Sequence, residues 1–174
     1  GNITPFARCV DDLPASQSLD LLRAYTLVLT NDGSTLYAVN AALGVANKIT
    51  TGGGGIFNAH VVATSHFAPM GSASGDYGYG GILSNGAALS ADHSILYVAG
   101  AHGLQLIRTI DMEPLGTYLA GHTLTSVALA ASGKMLYVTD AQQGVLLVSS
   151  DGTKSEPLPI KGVQSPRGIA WVSN

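Results

Sequence analysis

Residues 133–148, GKMLYVTDAQQGVLLV, alternate polar and apolar side chains, stop at a glycine-containing turn and alternate again. A period of two is the pattern of a half-buried strand, and two such runs joined by a short turn predict a β-hairpin. Similar sequences occur at 33–45 (GSTLYAVNAALGV) and 93–106 (HSILYVAGAHGLQL). The chain therefore repeats one hairpin unit.

The repeat extends beyond the hairpin, because three longer segments align at 25–49, 86–110 and 125–149. Each predicts a first strand, a tight polar turn, a second strand that opens on Leu-Tyr, a glycine-containing turn and a third strand. Asp32 and Asp92 lie in the first turns, where we expect their carboxylates to bond the turn backbone. We expect the tyrosines at 37, 97 and 137 to occupy equivalent buried positions between repeats.

The spacing of the repeats predicts the architecture. From Leu96 to Leu136 is 40 residues, close to the ~40–45 of a four-stranded propeller blade. The first unit is longer, and its extra residues lie in 52–81, a glycine-rich loop around a predicted strand at 59–64. Fourth strands are predicted at 115–120 and 156–160, and a short helix only at 15–24.

We therefore predict an all-β fold of about three four-stranded antiparallel β-propeller blades plus one extra inner strand. The domain organisation comprises an N-terminal segment, which is a strand of a preceding blade or a linker, followed by the propeller repeats. The segment spans 1–23 and the repeats 24–174, with blades at about 24–83, 84–122 and 123–164 and a final strand at 165–173.

The segments DGSTLYAVN, HSILYVAG and GKMLYVTD resemble the YVTN-type β-propeller repeats of bacterial and archaeal surface proteins, relatives of lactonase-like and other NHL/WD-type propellers. The closing SPRGIAWV is similar to the strand that begins a further blade. The resemblance covers about residues 24–172 and implies a circular array of blades, often extracellular and used for binding. Scattered members carry hydrolase or redox chemistry, and the fold does not choose among these uses.

Closed propellers have typically about 4–8 blades, more than the three that these repeats predict. Three explanations stay open: a C-terminal part of a longer propeller, a ring completed by further copies of the chain, or a supplement from the N-terminal ITPFARCV strand. We expect the first, because the chain begins without Met and stops within a repeat.

The amino-acid composition argues against several classes of partner. Hydrophobic residues make up 46% and charged residues 11% of the 174, with a net charge of −3, which argues against disorder, nucleic acid and anionic membrane surfaces. No apolar run approaches the ~20 residues of a membrane span. Cys9 is the single cysteine, so an intrachain disulfide is excluded. The composition suits an extracellular or cell-surface β protein.

No enzyme motif is present in the sequence. The five histidines lack zincin spacing and no cysteine cluster accompanies them, and no serine lies in a Gly-x-Ser-x-Gly elbow. We therefore assign no metal, no cofactor and no catalytic residue.

One group of polar residues follows from the topology, because in a propeller the crossovers between blades and the second turns open on one face. A concave mouth with polar side chains is the default binding site, and the alternative is an ordinary polar loop surface. The candidate binding residues are Asn40, Asn85, His102, His122, Asp140, Gln142 and Arg167.

The sequence thus favours a non-enzymatic scaffold that binds a protein, peptide or glycan on this face. The alternative is a propeller enzyme of lactonase-like or quinone-dependent type. Such enzymes usually place carboxylates in the central channel, and the predicted inner strands at 27–29, 87–89, 126–128 and 169–171 contain none.

Overall fold

The computed structural model describes residues 26–51, 59–71, 86–163, 166 and 168–170, and the regular structure in this part of the chain is entirely β-strand. The strands are β1 (Thr26–Leu29), β2 (Thr35–Asn40), β3 (Val45–Thr50), β4 (His60–His66), β5 (Ala87–Leu89), β6 (Ile95–Gly100), β7 (Gly103–Arg108), β8 (Glu113–Tyr118), β9 (Leu124–Leu129), β10 (Met135–Asp140), β11 (Gly144–Ser149) and β12 (Ser155–Leu158).

These strands form three four-stranded antiparallel sheets in which chain neighbours pair, in the orders β1-β2-β3-β4, β5-β6-β7-β8 and β9-β10-β11-β12. Strand β1 contacts β5, and β5 and β6 contact β9, so successive sheets pack as propeller blades. The predicted all-β fold of three four-stranded blades is confirmed.

Some predictions fall outside this description. The helix predicted at 15–24 lies outside the described residues, and so does part of the strand predicted at 165–173. Residues 166 and 168–170, the described part of that segment, have no strand assigned. The boundaries proposed for the N-terminal segment and the blades stay predictions.

Apolar side chains that alternate along the strands form two clusters, one between each pair of neighbouring blades. Tyr37 and Val39 of the first blade pack with Leu96, Val98 and Ile107 of the second. The second cluster joins the second and third blades through Tyr97, Leu104, Leu136, Val138 and Val148, among others. Full burial of one such aliphatic side chain stabilises the fold by roughly 1.5–3 kcal/mol.

The Leu-Tyr tyrosines are not all equivalent. Tyr37 and Tyr97 are 3% and 1% exposed, and the Tyr97 hydroxyl donates to the Ser150 carbonyl of the next blade at 2.9 Å. Tyr137 is only half-buried. The expectation of three equivalent buried tyrosines is therefore wrong for Tyr137, because its side of the third blade faces no further blade among the described residues.

The turns between first and second strands lie at one end of the blades, the lower face. In the first turn the Asp32 carboxylate accepts hydrogen bonds from Thr30 Oγ1 at 2.6 Å and from the Ser34 backbone N at 3.0 Å. Asp92 repeats the pattern in the β5–β6 turn, and Asp151 in the β11–β12 turn. The predicted bonding of Asp32 and Asp92 to their turns is confirmed.

The outer strands of the first two blades contain β-bulges. The registers of β3–β4 and β7–β8 shift between Lys48 and Ile49 and between Leu106 and Ile107. As a result Val62 and Leu115 are left without an opposite residue, and both side chains are exposed. Bulges at sheet edges disfavour pairing with other chains.

Candidate functional site

The opposite end of the blades, the upper face, carries the β2–β3, β6–β7 and β10–β11 turns and the crossovers between blades. The second strands end there at equivalent positions, Asn40, Gly100 and Asp140. The Asn40 side chain accepts from the Leu43 backbone N at 3.0 Å. Asp140 Oδ1 accepts from the backbone N of Gln142 at 2.7 Å and of Gln143 at 2.8 Å. Both side chains therefore stabilise their turns.

Asp140 also holds a histidine from the crossover between the second and third blades. His122 Nδ1 lies 2.9 Å from Asp140 Oδ2. The Asp140 side chain is 2% exposed and that of His122 is 23% exposed. An ionised carboxylate only accepts hydrogen bonds, so Nδ1 of His122 carries the hydrogen. In the neutral imidazole, Nε2 is then a hydrogen-bond acceptor.

The ionisation of Asp140 follows from its partners. Burial raises the pKa of this carboxyl. The hydrogen bonds from the backbone amides of Gln143 and Gln142 and from the His122 side chain lower the pKa by more than burial raises it. The net pKa lies below the ordinary aspartate value. Asp140 is therefore a carboxylate at neutral pH, which fixes the orientation of the His122 ring.

The crossover between the first and second blades is held by an apolar contact instead. A Cβ at Gly100 would lie 2.5 Å from Cβ of Met70, and Met70 is 2% exposed. The Met70 backbone N donates to the Ala41 carbonyl at 2.9 Å. Equivalent positions of the upper face thus hold a methionine against a glycine at one crossover and a histidine against an aspartate at the next.

The predicted binding residues have different positions. His122 and Asp140 are hydrogen-bonded to each other, whereas His102 and Gln142 are exposed on their turns. Asn40 and Asp140 are buried, so they support the face from beneath. Asn85 and Arg167 lie outside the described residues.

A polar cluster that the sequence reasoning missed lies on the inner strand β9. Thr125 Oγ1 is 2.6 Å from Thr139 Oγ1 and donates to the Pro166 carbonyl at 2.7 Å. The Ile169 backbone N donates to Ser126 Oγ at 3.3 Å. The segment after the third blade therefore rests on β9. The signal was the Thr125-Ser126 pair itself, which aligns with Asn85-Gly86 of the second repeat.

Charge is distributed unevenly between the two faces. The upper turns (41–44, 101–102 and 141–143) and the described crossovers 67–71 and 119–123 contain no Asp, Glu, Lys or Arg. Two charged residues lie near these turns. Lys161 follows β12, and the buried Asp140 is the last residue of β10. The lower turns carry Asp32, Asp92, Asp111, Lys134, Asp151 and Lys154.

The described part of the chain has neither a metal-binding cluster nor a membrane-spanning helix. Within it, no three or more His, Cys, Asp or Glu side chains are grouped so that they could hold a metal ion. Its residues also include no helix that is long and apolar enough to cross a membrane.

Comparisons with known proteins support the fold. No protein-family model matches the sequence, and neither does any curated protein. The structure is similar to that of Kuenenia stuttgartiensis Hydrazine Synthase, a β-propeller-containing protein, with a TM-score of 0.64 and 14% sequence identity over 86% of this chain. The chain spans 39% of the length of that protein. Similarity at this level of identity supports the β-propeller fold alone.

Proposed function

We propose that this chain is a non-enzymatic β-propeller scaffold of the extracellular space or cell surface, which binds a protein, peptide or glycan on its upper face. The observation that carries the proposal is the pair of His122 and Asp140, in which a buried carboxylate orients a partly exposed imidazole. Fixed polar groups of this kind give a binding surface its specificity.

The difference between the side chains of the lower and upper faces supports binding on the upper face. The lower-turn carboxylates of Asp32, Asp92 and Asp151 are engaged by hydroxyls and amides of their own turns. On the upper face, His102 and Gln142 are exposed. The resemblance of the Leu-Tyr segments to YVTN-type repeats, together with the low charge, supports an extracellular or surface location.

The test is a glycan and peptide array with the purified chain, followed by affinity measurements on variants. We expect His122→Ala to weaken binding of the best ligand about tenfold or more, since it removes an oriented hydrogen-bonding group. Lys134→Ala, which changes an exposed side chain of a lower turn, should bind like the unaltered chain. Equal affinity of both variants would place binding elsewhere.

A second candidate is the hydrolysis of a lactone or ester, and the same pair favours it. A histidine held by a carboxylate is the arrangement that orients a general base, here toward a water that attacks the carbonyl carbon. A panel of lactones and aryl esters tests it. If His122→Ala abolishes turnover, the result would support hydrolysis with His122 as the general base. Turnover that is unchanged in this variant would contradict that role.

A further inference from the structure

We infer that the ligand of the upper face is an uncharged glycan, one hydroxyl of which donates its hydrogen to Nε2 of His122. This inference rests on the proposed binding function and narrows it to one class of ligand. Three observations carry it: the contact of His122 Nδ1 with the Asp140 carboxylate, the absence of charge from the described upper turns, and the chemistry of the exposed side chains there.

The tautomer decides what His122 can recognise. When the ring is neutral, Nδ1 donates to the Asp140 carboxylate at 2.9 Å and Nε2 keeps a lone pair that can accept a hydrogen bond. Its partner has to be a hydrogen-bond donor. A sugar hydroxyl satisfies this requirement, whereas a carboxylate, sulfate or phosphate oxygen does not.

The charge distribution disfavours an anionic ligand. The nearest charge to Nε2 among the contacts of His122 is the Asp140 carboxylate, and it would repel an anion in this partly buried setting. The upper turns and the described crossovers 67–71 and 119–123 supply no cation to offset it, and Lys161, at the same end of the third blade, follows the outer strand β12 whereas His122 precedes the inner strand β9. Complementarity therefore favours an uncharged ligand over an acidic one.

The exposed side chains favour hydroxyls over a peptide backbone. Gln142 and Gln143 are exposed on the β10–β11 turn, and an amide side chain both donates and accepts, as a sugar hydroxyl does. Peptides in extended form are commonly bound by adding a strand to a sheet edge. The upper face presents turns rather than edges, and the Ala141 backbone N already donates to the Thr123 carbonyl at 2.9 Å.

The test uses three sets of probes on the unaltered chain: neutral gluco-, manno- and galacto-oligosaccharides, sulfated and uronic-acid oligosaccharides, and a peptide library. We expect binding to a neutral oligosaccharide with an affinity that changes little between low and high salt, because no ion pair forms.

The discriminating variant is Asp140→Asn. The same position in the first blade is Asn40, whose side chain accepts from its turn, so the turn should form. The new amide would accept from the turn amides and donate to Nδ1 of His122, which moves the hydrogen to Nε2. We expect about tenfold weaker binding of the neutral oligosaccharide, the loss of one hydrogen bond, while Lys134→Ala binds normally.

Nitrogen-15 NMR of the imidazole provides a readout that is independent of binding. The unaltered chain should show the Nδ1-protonated tautomer and Asp140→Asn the Nε2-protonated one. The opposite tautomer in the unaltered chain would overturn the inference even if Asp140→Asn failed to fold.

The array separates the two claims. Binding to anionic glycans or to peptides alone would overturn the inference and leave the proposed scaffold standing. Binding to none of the three probe sets would overturn both. Unchanged affinity of Asp140→Asn for the neutral oligosaccharide would overturn the inference alone.

Discussion

Single glycines fix the upper turns of the first two blades, and Gly44 shows why. Its φ is +71°, a conformation that favours glycine, and a Cβ there would lie 2.1 Å from the Phe67 carbonyl oxygen. Gly103 is equivalent in the second blade, where the Tyr118 carbonyl oxygen would be 2.4 Å from an added Cβ. At both places the end of the fourth strand approaches the turn too closely for any side chain.

Gly44→Ala should therefore destabilise the chain more than Gly33→Ala. Gly33 has a φ of +69° but nothing within 4 Å of an added Cβ, so it provides the matched control. We expect about 1–2 kcal/mol for the backbone strain in both variants and roughly 1–3 kcal/mol more for Gly44→Ala, from the clash. Urea unfolding measures the difference, and equal losses would contradict the close approach.

The two tyrosines of the later blades give a second prediction at this scale. Tyr97→Ala should lower the free energy of unfolding by roughly 3–5 kcal/mol, the range for a buried aromatic residue. Tyr137→Ala should lower it by less, because Tyr137 is only half-buried. Thermal and urea unfolding of both variants provide the measurement. A loss for Tyr137→Ala as large as that for Tyr97→Ala would show that this side of the third blade is as well packed as the others.

At this scale the sequence predicted residue type better than residue role. Asn40 and Asp140 were predicted as polar residues of a binding face, and both prove to be buried supports of their turns. Their identical place in the repeat was the available signal. The seating of Met70 against Gly100 could not be predicted, since it depends on how a crossover approaches a turn from a neighbouring blade.

We expect the stability of the lower turns to depend on pH. Hydrogen bonds from Thr30 lower the pKa of Asp32 to about 2, with Ser34 contributing further, and those from Ser90 and Ser149 do the same for Asp92 and Asp151. A lowered pKa means that the folded state favours the carboxylate. The stabilisation is therefore present above the ordinary value of 3.8 and is lost as the pH falls through about 2.

The triple variant Asp32→Asn, Asp92→Asn, Asp151→Asn should be less stable than the unaltered chain at neutral pH. The difference should shrink as the pH falls from about 4 to about 2, because protonation removes the carboxylates from the unaltered chain as well. Urea midpoints across this range provide the measurement. The β9–β10 turn shows that an uncharged residue is tolerated, since Ser132 Oγ accepts from the Lys134 backbone N there at 3.3 Å. A difference that is constant with pH would contradict the role of these carboxylates.

At the scale of elements, the sequence predicted the strands and turns well, because each repeat has the same alternation of polar and apolar residues and similar turn residues. The bulges that leave Val62 and Leu115 exposed were not predicted. A bulge shifts the strand register by one residue. Val62 and Leu115 are apolar, so the sequence pattern does not reveal that the bulges leave their side chains exposed.

At the scale of the whole molecule, the described residues form a succession of blades in which each sheet packs against the next. The faces of this stack differ, with ionised side chains in the lower turns and uncharged ones in the described upper turns. The blade count followed from the repeat spacing, whereas the difference between the faces depends on which turns the antiparallel meander brings to the same end.

Aromatic-to-methyl NOEs in solution test directly whether consecutive blades pack through the Leu-Tyr tyrosines. The Tyr37 ring should show NOEs to methyl groups of the second blade, among them Leu96, Val98 and Ile107. The Tyr97 ring should show them to Leu136, Val138 and Val148 of the third blade. NOEs confined to each tyrosine's own sheet, or from Tyr37 to the third blade, would contradict the succession of blades.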